Sequence, residues 1–119
     1  MISDDSARSF VDRWLADWNA HDLDALLAHY ADDVVFTSPL ADRLLPGSGG
    51  VAWGKAALRE YWTAGLAALP DLPFDVLDRY IGVDTLVIRY RNHAGGVVCE
   101  VLEFAGDTIV RGHGTYLAA

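Results

Sequence analysis

The sequence predicts an α+β domain, with helices from its first half packed on one face of an antiparallel sheet from its second half. Three observations lead there. Apolar residues recur at helical intervals over residues 4–30 and again over residues 55–69. From Pro73 onward the pattern changes to strand-like runs separated by short turns bearing Gly and Asp. The chain has 119 residues, one domain's length, and a chain of that size buries roughly two-thirds of its unfolded surface.

Ala7, Phe10, Val11, Trp14, Leu15 and Trp18 share one face of a helix over residues 4–18. Ser3 suits its N-cap, and Asp4 and Asp5 favour its first turn. Asn19-Ala20-His21 breaks it. Asp22 then caps a short second helix with Leu23, Leu26, Leu27 and Tyr30 inward and Asp32-Asp33 at its close. Val34-Val35-Phe36-Thr37 is β-branched and aromatic, hence a strand, and it ends on Ser38 and Pro39. Residues 39–53 hold Pro39, Pro46, Gly47, Gly49 and Gly50, a composition that reads as a long mobile loop of the lid type. The third helix covers residues 55–69, with Leu58, Tyr61, Trp62, Leu66 and Leu69 inward and Pro70 as its stop. Strands follow near residues 74–81, 84–92, 97–105 and 108–117. Their turns are Gly82-Val-Asp, His93-Ala-Gly-Gly and Ala105-Gly-Asp107.

Composition narrows the function classes. A formal net charge of −8, with the basic residues scattered, opposes phosphate backbones and anionic membranes as partners. Cys99 is the only cysteine, so no intrachain disulfide forms; with no signal-peptide pattern and no long apolar run, a cytoplasmic location is expected. Cys99 lies in an apolar run and reads as a packing residue. No His, Cys, Asp and Glu set has metal-ligand spacing. The segment Gly47-Ser-Gly-Gly50 has no preceding strand and no placed lysine, so it is no phosphate loop. Neither a metal nor another cofactor is indicated. A hydrophobic share of 52% is high for one small domain and points to an apolar cavity or a buried oligomer face.

The run from Trp14 through Trp18-Asn-Ala-His-Asp-Leu-Asp-Ala-Leu-Leu-Ala-His-Tyr-Ala-Asp-Asp-Val-Val-Phe36, with the later Cys99-Glu-Val-Leu-Glu-Phe104, a Gly-Asp turn and Thr108-Ile-Val, resembles the nuclear transport factor 2-like superfamily. The resemblance is strongest to its SnoaL-like and ketosteroid-isomerase-like branch, and it spans nearly the whole chain. It implies a cone-shaped, cystatin-like fold: three N-terminal helices on a curved antiparallel sheet, around an apolar pocket. It also implies a homodimer through the outer sheet face. The superfamily includes isomerases, dehydratases, cyclases, epoxide hydrolases and non-catalytic members, so the fold alone selects no reaction.

In the isomerase branch a carboxylate base precedes a proline at the end of the first strand; Ser38 stands there in this chain. The phenol donor position on the first helix is Trp14, whose indole donates but does not titrate. Ketosteroid isomerisation by the usual route is therefore not expected. The neutral acid of the penultimate strand matches Glu100. Alternation puts Glu100, Leu102 and Phe104 on one face and Cys99, Val101 and Glu103 on the other; a one-residue slip would turn Glu103 inward instead. Facing an apolar cavity, Glu100 should hold its proton more tightly and serve as general acid, or as a base poised near neutrality. On the last strand, where Gly112, Gly114 and Tyr116 alternate with Arg111, His113 and Thr115, the same register turns Gly112 and Tyr116 to the cavity, the glycines leaving room for a bulky ligand, and His113 outward. The opposite twist would make His113 a proton-transfer partner. Arg89 with Glu100 suggests an epoxide-hydrolase-like relay, lacking a second aspartate. His21 and His29 read as caps and solvated ends.

The resulting expectation is a cofactor-independent enzyme of the isomerase, cyclase or dehydratase type, acting on an apolar or polycyclic carbonyl compound. Glu100, Tyr30, Ser38 and His113 are its catalytic candidates. Trp14, Trp18, Phe36, Trp62, Leu102, Phe104, Gly112 and Tyr116, with Phe74 adding to the wall, are its binding candidates. The alternative is a ligand-binding or dimerising module of the same fold, favoured by the missing base and phenol.

Overall fold

Ser3 starts the first helix, α1 (Asp4–Asn19), with its side chain accepting from the Ser6 N–H. Ala7, Phe10, Val11, Trp14 and Trp18 are buried along it. His21 turns the chain with a φ of 57°, and Asp22 caps α2 (Leu23–Leu27) by accepting from the Ala25 N–H. The structure, a computed structural model, describes residues 1–68, 73–92 and 94–118. The expected inward Leu69, the stop at Pro70 and the turn at His93 lie outside the described residues.

Strand β1 (Tyr30–Thr37) starts earlier than the apolar run indicates. Tyr30 is a strand residue opposite Ile109 rather than part of α2, and Asp32 and Asp33 are exposed on the strand instead of closing the helix. Residues 39–53 correct a second expectation. They form α3 (Pro39–Leu44), capped by Ser38 with proline at its start, and then β2 (Val51–Trp53). Proline is pre-shaped for a first helical turn, where its missing N–H costs nothing. Gly50 has a φ of +83° and lies so close to Ser38 that a Cβ would stand 3.0 Å from its carbonyl oxygen. The glycines here shape a tight return, and β2 pairs with β1 at Phe36–Ala52. Ala41 and Ala52 are fully buried, so the segment is packed structure and not an open lid.

Helix α4 (Gly54–Ala68) buries Leu58, Tyr61, Trp62 and Gly65. The strands β3 (Asp75–Ile81), β4 (Thr85–Arg91), β5 (Val97–Ala105) and β6 (Thr108–Tyr116) follow. One six-stranded sheet results, in the order β2-β1-β6-β5-β4-β3. It is antiparallel except at β1–β6, which run parallel. The helices cover its inner face. In β5 the buried set is Val98, Glu100 and Leu102, and β4 presents Leu86, Ile88 and Tyr90 inward. No helix among the described residues is long and apolar enough to cross a membrane.

Between helices and sheet lies an aromatic cluster. Trp18 meets Trp62 edge-on at 4.9 Å, Tyr30 meets Trp62 at 5.2 Å, and Trp14 meets Tyr90 at 5.1 Å. Edge-to-face pairs of this kind add about 0.5–1.5 kcal/mol each beyond their buried area. Gly112 belongs to this packing. A Cβ there would fall 2.6 Å from the Phe36 ring, so the glycine makes room for Phe36 and not, as expected, for a ligand.

Candidate active site

A cavity of about 80 Å³ opens between α4 and the inner face of the sheet. A water needs roughly 10–15 Å³ of such space, so the cavity has room for on the order of six waters or one small ring. Trp18, Phe36, Trp62 and Phe74 form its apolar wall. Ser38, Tyr61, Tyr90, Glu100, Gly114 and Tyr116 form its polar side. Leu40, Leu66, Phe74, Asn92 and Tyr116 are the lining residues with appreciable exposure.

Four strands, β1, β4, β5 and β6, and the helix α4 bring the polar groups together. Ser38 ends β1 and caps α3. Its Oγ accepts from the Leu40 N–H at 3.2 Å and from the Tyr61 hydroxyl at 3.0 Å. Those two bonds occupy both lone pairs of the oxygen. Its own proton is therefore free to donate, and the Tyr116 hydroxyl at 3.4 Å is its one further protein neighbour among these bonds. Ser38 is thus a donor and not a base. Glu100 is 5% exposed, and Tyr90 donates to its Oε1 at 3.4 Å. No Lys, Arg or His lines the cavity among the described residues. Burial without a counter-charge raises the Glu100 pKa from 4.5 to about 8, with the Tyr90 hydrogen bond pulling the other way. Burial, and next the nearby Glu100 charge, also raises the Tyr30 and Tyr90 phenols. Tyr61 rises by burial too. All three stay protonated donors at any physiological pH.

The other sequence candidates fall elsewhere. Tyr30 is buried behind the wall, with its hydroxyl unpartnered, and does not line the cavity. Trp14 and Leu102 are core residues beneath it. Phe104 packs edge-on against Phe10 at 5.5 Å and lines a separate cleft beside α1. Half-buried His29 also lines that cleft, rather than standing solvated. His113 points outward. Its Nδ1 lies 2.7 Å from Thr37 Oγ1 and its Nε2 3.1 Å from Glu103 Oε2. Glu103 is therefore outward too, which removes the slipped register. Arg89 grips Asp78 through two bonds of 2.9 and 2.6 Å on the same outer face, apart from Glu100. The sequence does not mark Tyr61, Asn92, Leu40, Gly65 or Leu66 as site residues, and it gives Tyr90 and Gly114 no role beyond facing the pocket and leaving room in it. Tyr61 and Tyr90 were legible as inward-facing, but periodicity does not say which inward residue meets open space. Among the described residues, no three His, Cys, Asp or Glu stand together as a metal site would need.

A profile of the SnoaL-like domain matches residues 11–112. A SnoaL-like protein of unknown function from Burkholderia thailandensis is 35% identical, with 98% of each chain covered and a TM-score of 0.91. A proposed polyketide cyclase from Sinorhizobium meliloti is 17% identical over 90% of this chain and 94% of its own, with a TM-score of 0.72. A hypothetical protein with a ketosteroid isomerase-like fold from Catenulispora acidiphila, in complex with trimethylamine, is 16% identical over 89% and 83%, with a TM-score of 0.71. At those identities the last two attest the fold alone. No curated protein matches the chain.

Proposed function

The chain belongs to the SnoaL-like family of the nuclear transport factor 2-like superfamily, and from that membership we propose that it is a small-molecule enzyme whose chemistry is proton transfer to a substrate oxygen. The observation that carries this reading is Glu100, buried in a cavity with no counter-charge among the described residues and beside hydroxyl donors. With a pKa of about 8 it keeps its proton at neutral pH. It is then a general acid for a carbonyl becoming an enol, with water in the cavity taking the proton from the α-carbon, or for a hydroxyl leaving as water, with the neighbouring C–H proton passing to water in the same way. Ser38, backed by Tyr61, supplies a second donor for charge developing on that oxygen. Isomerase, cyclase and dehydratase reactions all contain such a step, and one structural relative carries a cyclase name. The cavity's size favours a substrate, or a substrate portion, of one ring rather than a polycycle.

The test is hydrogen exchange. Acetophenone in D2O exchanges its methyl protons through the enol, and NMR follows the loss. Wild type is expected to accelerate the exchange, with a rate that falls as pH rises through about 8. Glu100→Gln should lose roughly 100-fold or more. Equal rates for the two proteins would leave the second reading, a non-catalytic binding module; Ser38 at the base position favours it. We place the protein in the cytoplasm and as a homodimer through the outer sheet face, where Val35, Val87 and Val101 are half-buried and Trp53 is 71% exposed.

A further inference from the structure

Gly114 stands between the two donors. A Cβ on it would lie 3.3 Å from Ser38 Oγ, 3.4 Å from Ser38 Cβ and 3.8 Å from Glu100 Oε1. Both oxygens therefore border the space above its bare Cα. Gly112, two residues earlier on the same face, has its equivalent space filled by the Phe36 ring. Over Gly114 the nearest atoms are the Ser38 side chain at 3.3 and 3.4 Å and Glu100 Oε1 at 3.8 Å, which border that place without overlapping it, and the residue lines the cavity. Gly114 has no positive φ, so its backbone does not demand glycine. What the glycine provides is space. Both lone pairs of the Ser38 oxygen are engaged by Leu40 and Tyr61, so its proton is left with only the long 3.4 Å contact to the Tyr116 hydroxyl, which a ligand oxygen can replace. Among the described residues the lining holds no cation to pair with a carboxylate, and a carboxylate stripped of water without one is strongly disfavoured.

We propose that one uncharged ligand oxygen, carbonyl or phenolic, seats above Gly114 between the Ser38 hydroxyl and the Glu100 carboxyl, and that Gly114 is the residue that selects one-ring aromatics bearing such an oxygen. This rests on the cavity being the functional site, as proposed above. A buried donor pair built for an oxygen rejects the isostere that lacks one, because its donors are then left unpaired. The same pair discriminates weakly once a methyl group occupies the seat.

Phenol, toluene and benzoate at pH 6 test this by calorimetric titration of the full chain. Phenol and toluene differ only by hydroxyl against methyl. Wild type should bind phenol at least tenfold more tightly than either toluene or benzoate. In Gly114→Ala the preference over toluene should shrink to about twofold, and Ser38→Ala should lower it as well if the alanine at 114 perturbs folding. Equal affinity of wild type for phenol and toluene overturns the oxygen seat while leaving the cavity as a binding site. Benzoate binding as tight as phenol overturns the selection for an uncharged group. A tenfold preference retained in a folded Gly114→Ala overturns the role of Gly114, and one retained in Ser38→Ala overturns the Ser38 side of the seat. No binding of any probe, together with no acetophenone exchange, removes this proposal and the functional reading alike.

Discussion

An acid without a counter-charge makes stability depend on pH, and Glu100 sets the direction. Its carboxyl titrates at 4.5 when unperturbed and at about 8 in the folded chain. Below both values each state holds the proton and the group is neutral to folding. Between them the unfolded chain releases its proton while the folded chain keeps it, so stability falls as pH rises, and the loss is complete above about 8. Each tenfold difference in proton affinity between the two states corresponds to about 1.4 kcal/mol, so the penalty amounts to a few kcal/mol. Glu100→Gln removes the charge and with it the penalty. Its melting temperature should exceed that of wild type by about 5 °C or more at pH ~8.5 and should not at pH ~4. A parallel pair of melting curves across that range would show Glu100 to be solvated. A second residue-scale prediction separates the two glycines of β6. Gly112→Ala pushes a Cβ into the Phe36 ring at 2.6 Å, and overpacking of this kind costs about 1–3 kcal/mol. Urea denaturation should find Gly112→Ala less stable than Gly114→Ala, whose nearest approach is 3.3 Å to a hydroxyl.

Ser38 does at the level of elements what no local pattern around it announces. It ends β1, caps α3 and anchors Tyr61 of α4, so one hydroxyl joins three elements. Ser38→Ala should remove about 1 kcal/mol of capping and leave the buried Tyr61 hydroxyl without its acceptor, for a loss of roughly 2 kcal/mol in all by chemical denaturation. A loss under about 0.5 kcal/mol would mean that water replaces both bonds. The segment it begins also explains where the sequence was hard to read. Helices α1, α2 and α4 and strands β4, β5 and β6 were legible because each buries one face. Residues 39–53 bury single alanines, Ala41 and Ala52, through close approach of backbone to backbone. Such an approach needs Pro and Gly, and the same two residues mark a loop. The parallel β1–β6 pairing was equally hidden, since register between distant segments leaves no trace in either one. Within the site, alternation was enough to turn Glu100 inward and Glu103 outward. It could not separate Gly112 from Gly114, because that difference is made by Phe36, on another strand.

At the scale of the whole molecule, the sheet has two faces with different tasks. The inner face carries the core and the cavity. The outer face would be expected to carry polar residues if it met only water. Instead Val87 and Val101 lie opposite one another, Val101 lies opposite His113, and Val35 lies opposite Trp53. On that face Arg89 is paired with Asp78 and Glu103 hydrogen-bonds with His113, while Arg111, opposite Val35, has no ion-pair partner among the described residues. Half-exposed valines and an exposed tryptophan supply the apolar centre that a self-complementary interface needs. Wild type should therefore sediment as a dimer at micromolar concentration. Val101→Lys places an unpaired ammonium at the centre of that face and should give a monomer with unchanged far-ultraviolet circular dichroism. Because the cavity lies on the opposite face and is lined by one chain, the monomer should keep at least half of the wild-type affinity for phenol. A monomeric wild type would assign the outer valines to some other contact, and a dimer surviving Val101→Lys would move the interface to another surface of the molecule.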